Sequence, residues 1–223
     1  SARKWSAVQT QAGAYVLGAP EIVLAGSTGS GSTDNAALER VKALAGTGKR
    51  VLVLAHSNQA LDQSENPTLP KDLTAALLVV LAEQVRPDAA QTLDYFKRQG
   101  VAVRVISGDN PVTVAAIATH LGLRNPDGSE PVGVDARTLP AIEDTQALAD
   151  ALEKHTVFGR VTPEQKRAFV NALKSRGHTV AMTGDGVNDA LALKDADLGI
   201  AMGNAAPATK AVSRLVLLNS QFD

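Results

Sequence analysis

The chain has 223 residues, 44% of them hydrophobic, with 22 basic and 23 acidic side chains and a formal net charge of −1. That balance offers no bulk charge to hold nucleic acid or a membrane surface, and the absence of cysteine excludes a disulfide scaffold, a thiolate metal site and a thiol nucleophile. No apolar run approaches the roughly 20 residues of a membrane span, and the opening SARKWSAVQT has no signal-peptide core.

In chain order, a short strand is expected around Ala14 to Leu17, a helix from Asp34 to Ala45, and a strand in the β-branched run RVLVLA at 50–55. Turn residues cluster at 25–37 and 62–72, so these elements read as a small α+β module. From about residue 75 the apolar runs LLVVL (77–81), VAVRVI (101–106), TVAM (179–182), LGIA (198–201) and LVLL (215–218) alternate with helical stretches, the pattern of a parallel, doubly wound sheet. Pro87 is placed in a first helical position, with Ala89, Leu93 and Phe96 at helical spacing and Gly100 as the stop. Asn110 and Pro111 open a second helix whose stripe is Val114, Ile117, Ala118 and Leu121, ended by Gly122. Thr162 and Gln165 have capping-box spacing around Pro163, and Gly177 ends that helix.

Open parallel sheets bind ligands at the carboxyl ends of their strands. ISGDN places Ser107, Gly108 and Asp109 there, just before a helix whose first amides suit a phosphate. TGDGVND places Asp185 at another strand end, with Asp189 about one helical turn further on, so that both carboxylates can face one point. Lys166 stands in the first turn of its helix, where a cation opposes the helix dipole, and an anion nearby should offset it. Together these suit phosphoryl transfer: a hydroxyl and amides to hold the group, a lysine to neutralise it, and aspartates for Mg²⁺, which prefers hard oxygen ligands. Taken singly, SGDN is an ordinary turn, Lys166 a surface charge, and Asp185 with Asp189 a cap and a first-turn acid. Asp195 and Asp197 are read as a helix-ending surface acid and a cap. GTGKR at 46–50 is not a P-loop, and no GxGxxG opens a helix.

MTGDGVNDALALKDADLGIAMG (182–203) resembles, nearly letter for letter, the hinge motif of P-type cation-transporting ATPases, with Leu191 where many members keep a proline. ISGDN is similar to the family's TGD motif, with Ser107 for threonine, and RVTPEQKR is similar to its P-x-x-K segment carrying Lys166. SARKWSAV around Arg3 and Lys4, LGAPE around Gly18 and GKRVLVLA around Arg50 resemble its nucleotide-binding stretches, Leu17 standing where a lysine is usual. None of the four histidines precedes a proline, so the resemblance is closer to the calcium and related-cation branches than to the heavy-metal branch.

The resemblance implies an α/β fold: a haloacid-dehalogenase-like, Rossmann-like parallel-sheet phosphorylation domain over 73–223, and the C-terminal part of an α+β nucleotide-binding domain over 1–72. It implies ATP bound by Arg3, Lys4, Gly18 and Arg50, and Mg²⁺ held by Asp185 with Asp189. It also implies a phosphoryl group handled by Lys166, Ser107, Gly108, Asn188 and Asp189, with Asp109 orienting its neighbours. The implied activity is ATP hydrolysis through an aspartyl-phosphate, coupled to cation transport through membrane helices, with this region on the cytoplasmic side of a multi-pass membrane protein and beside its actuator domain. No nucleic-acid partner is implied.

The family's DKTGT motif, which carries the phosphorylated aspartate, is absent from the chain. The chain is therefore expected to be a cytoplasmic piece of a pump, inactive alone. The absent strand would be central, between those carrying SGDN and TGDGVND, and its absence would expose two strand edges. Either another segment or chain fills the gap, or the sheet is split. A soluble phosphatase of the same superfamily and a noncatalytic nucleotide-binding module are the alternatives. The only DxD near this chemistry, Asp195 with Asp197, lies downstream of the Mg²⁺ motif, where a nucleophile does not belong.

Overall fold

The computed structural model describes residues 4–25, 32–82 and 84–222. The chain divides into two compact units between Gln84 and Val85.

The first unit is a four-stranded antiparallel sheet in the order β1-β2-β3-β4, formed by β1 (Trp5–Thr10), β2 (Gly13–Gly18), β3 (Lys49–Ser57) and β4 (Thr74–Ala82). Two helices belong to it, α1 (Pro20–Val23) and α2 (Ser32–Ala45). Alternation sets its inner face: Val16, Val53, Ala55 and Leu73 are buried with Val23 and Leu24, and Ala37 and Leu38 of α2 close over them. β4 contains the run LLVVL, expected in the parallel sheet of the second module. It pairs antiparallel with β3 instead, Val53 opposite Leu78 and Val51 opposite Val80, so the break between units falls after this strand rather than before it.

The second unit holds two three-stranded parallel sheets. One has the order β5-β7-β6, from β5 (Val105–Ile106), β7 (Val157–Gly159) and β6 (Val134–Asp135). The other has the order β10-β9-β8, from β10 (Leu215–Leu217), β9 (Leu198–Met202) and β8 (Ala181–Gly184). The sheet is thus split, with β5 and β8 each paired on one side only among the described residues. This shortens the strand expected at 101–106 to its last two residues. Ahead of it the Arg104 guanidinium turns back to donate to the carbonyls of Leu152 (2.8 Å) and Glu153 (3.4 Å).

The unit has six α-helices: α3 (Ala89–Arg98), which buries no residue, and five that pack on the sheets or on one another, α4 (Pro111–His120), α5 (Thr145–Lys154), α6 (Pro163–Ser175), α7 (Ala190–Asp195) and α8 (Pro207–Val212). Helix α3 starts at Ala89, so Pro87 lies in the preceding turn rather than at the first helical position. Helix α4 begins as expected, with Asn110 Oδ1 accepting from the Val112 amide at 2.9 Å. Helix α6 has the full capping box: the Gln165 amide donates to Thr162 Oγ1 (3.2 Å) and the Thr162 amide to Gln165 Oε1 (3.0 Å).

Helix α6 is the spine of the unit. Its Phe169 and Ala172 enter the core formed with Leu148, Leu152 and Phe158, where the rings of Phe158 and Phe169 meet edge to face at 5.4 Å. Its Val170 enters the other core, with Met182, Leu193 and Ala201. One helix therefore serves both half-sheets, and its first turn carries Lys166. Among the described residues no helix is long and apolar enough to cross a membrane.

Candidate phosphoryl-transfer site

Four carboxylates crowd into residues 185–197, and three are compensated by cations from helix α6. Lys166 Nζ donates to Asp189 Oδ1 at 2.6 Å, with side-chain exposures of 15% and 9%. Arg167 Nε donates to Asp195 Oδ2 at 2.5 Å, and Lys174 Nζ lies 3.1 Å from Asp197 Oδ1. These contacts also order the chain. Asp197 Oδ2 accepts from the Val180 amide ahead of β8 at 2.9 Å, and Asp195 takes a further bond from Asn171 Nδ2 at 3.3 Å. Hydrogen bonds hold both carboxyls below the usual carboxylate range, the Arg167 side chain being the chief cause for Asp195 and the Val180 amide for Asp197. Asp195 is accordingly a tie between α6 and α7 rather than a surface acid, while Asp197 does cap a backbone amide.

The fourth carboxylate, Asp185, stands exposed just past the end of β8, and no described residue pairs with it. Uncompensated charge beside three satisfied acids is the condition that favours an added cation. Mg²⁺ typically takes one or two protein carboxylates and completes its shell with water and phosphate oxygens. Asp185 fits that habit, since among the described residues no three His, Asp or Glu side chains converge on a metal-sized point.

Asp189, expected as a second metal ligand, ends the short 3₁₀ turn after β8. It is 7% exposed, one oxygen binds Lys166 and the other accepts the Gly186 amide at 3.2 Å. The anion expected to offset Lys166 is thus Asp189 itself. Gly184 makes this geometry possible: a Cβ there would stand 2.7 Å from both Cβ and Oδ2 of Asp189. Asn188 is exposed in the short 3₁₀ turn between Asp185 and α7.

Ser107, Gly108 and Asp109 follow β5, and the turn after β7 locks them in place. The Val161 amide donates to the Ser107 carbonyl (3.0 Å), the Arg160 amide to the Asp109 carbonyl (2.8 Å), and the Asp109 amide to Ser107 Oγ (3.1 Å). Ser107 is therefore bound through its backbone to Val161, five residues ahead of Lys166. Arg160 and Asp135 are site-supporting residues that sequence spacing did not flag. Arg160 adopts the left-handed region at φ 56°, a strain of about 1 kcal/mol for a non-glycine residue, and its guanidinium meets Asp135 Oδ2 at 2.8 Å. The Arg137 side chain, with help from Arg160, holds the Asp135 carboxyl well below the usual range. Gly159, just ahead, admits no side chain, because a Cβ would lie 2.5 Å from Pro111 at the start of α4.

In the first unit, Lys4 and Gly18 meet at one end of the β1–β2 pair, where the Ala19 amide donates to the Lys4 carbonyl at 3.3 Å. Gly18 is a packing glycine: its Cβ would fall within 2.9 Å of Trp5, Lys4 and Val23. Arg50 is exposed near the start of β3, and Leu17, where a lysine is usual in the resembling family, lies half-buried opposite Leu54. Arg3 lies outside the described residues.

Residues 21–197 match the model of the haloacid dehalogenase-like hydrolases. The chain belongs to that family. Across all 223 residues it is 49% identical to the calcium-transporting ATPase CtpE of Mycobacterium tuberculosis (strain CDC 1551 / Oshkosh) and, over 224 aligned positions, 43% identical to the probable cation-transporting ATPase exp7 of Streptococcus pneumoniae. It is 39% identical over 180 residues to the P-type magnesium-transporting ATPase 1 of Salmonella typhimurium. The first two alignments cover 100% of this chain and the third 78%, but the chain spans only 26%, 26% and 19% of the respective relatives. The family expectation, haloacid-dehalogenase-like with parallel β-structure, is met.

Proposed function

We propose that the chain forms the nucleotide-binding and phosphorylation region of a cation-transporting P-type ATPase, which hydrolyses ATP through an aspartyl-phosphate on a strand outside this sequence. The observation that carries this reading is the unpaired Asp185 beside the Lys166–Asp189 pair, all at the carboxyl ends of parallel strands. The names of the relatives support the same reading.

On this reading the first unit is the C-terminal part of the nucleotide-binding domain, and Arg3, Lys4, Gly18 and Arg50 are its ATP-binding residues. The second unit is the phosphorylation domain. Of the four edge strands of the two parallel sheets, β5 and β8 receive the strand that bears the nucleophile. Asp185 holds Mg²⁺, which when bound neutralises phosphoryl oxygens. Lys166, fixed by Asp189, presents an ammonium to the transferring group, a preorganised charge that needs no rearrangement during transfer. Ser107 Oγ and the Gly108 amide bind phosphoryl oxygens on the other side, Asp109 shapes their loop, and Asn188 with Asp189 orders the surrounding shell. The region lies on the cytoplasmic face of a multi-pass membrane protein, whose membrane helices carry the cation and whose actuator domain meets this site.

Labelled ATP tests the reading. The 223-residue chain with Mg²⁺ is expected to take no acid-stable, hydroxylamine-sensitive label. A longer polypeptide that restores a DKTGT strand ahead of Ser1 is expected to take it, and to lose it on Asp185→Asn. Label on the short chain, or label indifferent to Asp185, would refute the proposal.

A further inference from the structure

Helix α8 contributes a residue to this site that neither motif spacing nor the proposed chemistry singles out. Thr209 is wholly buried, at 0% exposure, and its Oγ1 donates to the Gly186 carbonyl at 2.9 Å. A threonine hydroxyl in a helix ordinarily turns back to a carbonyl three or four residues earlier. This one crosses 23 positions of sequence to reach the loop after β8. The same carbonyl accepts the Asp189 amide at 3.0 Å, so both of its lone pairs are used. Next to it, the Ala206 amide at the head of α8 donates to the Asp185 carbonyl at 3.0 Å. The two peptide units that follow Asp185 are thus pinned from α8, while the Asp185 side chain remains exposed and unpaired among the described residues.

We infer that Thr209 is a positioning residue: its hydroxyl orders the 185–189 loop and so aims Asp185 at the cation and Asp189 at Lys166. The inference rests on the phosphoryl-transfer reading of the site and adds a residue that touches neither substrate nor metal. Partners that orient a metal ligand commonly change metal affinity by about 10–100-fold when removed.

Thr209→Val keeps the shape and removes the hydroxyl, whereas Thr209→Ser keeps the hydroxyl and removes a methyl. Two measurements on the 223-residue chain separate them: Mg²⁺ affinity by titration calorimetry, and amide hydrogen exchange at Gly186, whose N–H bonds Asp189. Thr209→Val is expected to weaken Mg²⁺ about tenfold and speed Gly186 exchange about tenfold, and Thr209→Ser to restore both to within about threefold. Lost packing alone would lower the urea midpoint of both variants and leave Mg²⁺ affinity of the folded chain unchanged. Thr209→Val binding Mg²⁺ as the parent does, or Thr209→Ser failing as Thr209→Val does, overturns the inference. If Asp185→Asn binds Mg²⁺ as the parent does, the cation assignment falls instead, and Gly186 exchange alone then judges whether Thr209 orders the loop.

Discussion

The Lys166–Asp189 pair sets a quantitative expectation. With 15% and 9% of the side chains exposed and 2.6 Å between charged atoms, it approaches the buried limit, where removing one partner costs about 3–5 kcal/mol. Two features lower that figure for Lys166→Met. The Asp189 carboxylate keeps the Gly186 amide on its other oxygen, and its residual exposure admits some water, so a loss of about 2–3 kcal/mol is expected. Asp189→Asn should cost less, about 1–2 kcal/mol, because a lysine stem can carry its ammonium toward solvent while a short aspartate pressed against Gly184 cannot move. The two losses should not add, and a double-mutant cycle should return a coupling of about 1–2 kcal/mol. Urea unfolding followed by far-ultraviolet circular dichroism reads the second unit, which holds six of the eight described α-helices. Fluorescence of Trp5, the single tryptophan, reads the first. With a slope of about 2 kcal/mol/M, Lys166→Met should lower the dichroism midpoint by about 1–1.5 M and the fluorescence midpoint by much less. Additive losses, or a Lys166→Met cost below about 0.5 kcal/mol, would refute the view that the lysine is neutralised inside the fold.

Two further outcomes are expected. Gly184→Ala forces a methyl into the Asp189 carboxylate and should destabilise the second unit by about as much as Lys166→Met, with little added when the two are combined, by the same urea measurement. In the first unit, the amides of Ser64 and then Thr68 hold the Asp62 carboxyl down to about 2. A depressed folded value contributes stability that is complete above the unfolded value near 4 and lost as pH falls through about 2. Between pH 4 and pH 2 the Trp5 transition should therefore weaken more in the parent than in Asp62→Asn, and equal acid sensitivity would remove Asp62 from the account.

Local chemistry made parts of this molecule legible in its sequence. The capping box of α6, the Asn-Pro start of α4 and the runs of β9 and β10 depend on residues within a few positions, and all appear where spacing puts them. What escaped depends on distant partners. LLVVL reads alike in a parallel or an antiparallel sheet, and only its pairing with β3, more than twenty residues upstream, assigns it to the first unit. VAVRVI has the composition of a full strand, yet strand pairing needs a neighbour, and β5 has one on a single side. β6 and β7 are too short to show any period. At the site, spacing brought Asp185 and Asp189 to one loop but could not show that Asp189 closes on Lys166, 23 positions away. Thr209 left no local signal, because a threonine that bonds to another loop looks like any helical threonine.

The central claim is spatial: Ser107, Lys166, Asp185 and Asp189 surround one cation-bound anion. Replacing Mg²⁺ with paramagnetic Mn²⁺ in the ¹⁵N-labelled chain, with inorganic phosphate present, reads that geometry directly. The account predicts amide broadening concentrated at 107–109, 160–166 and 184–189 and abolished by Asp185→Asn. Broadening centred elsewhere, or unchanged by Asp185→Asn, would contradict it.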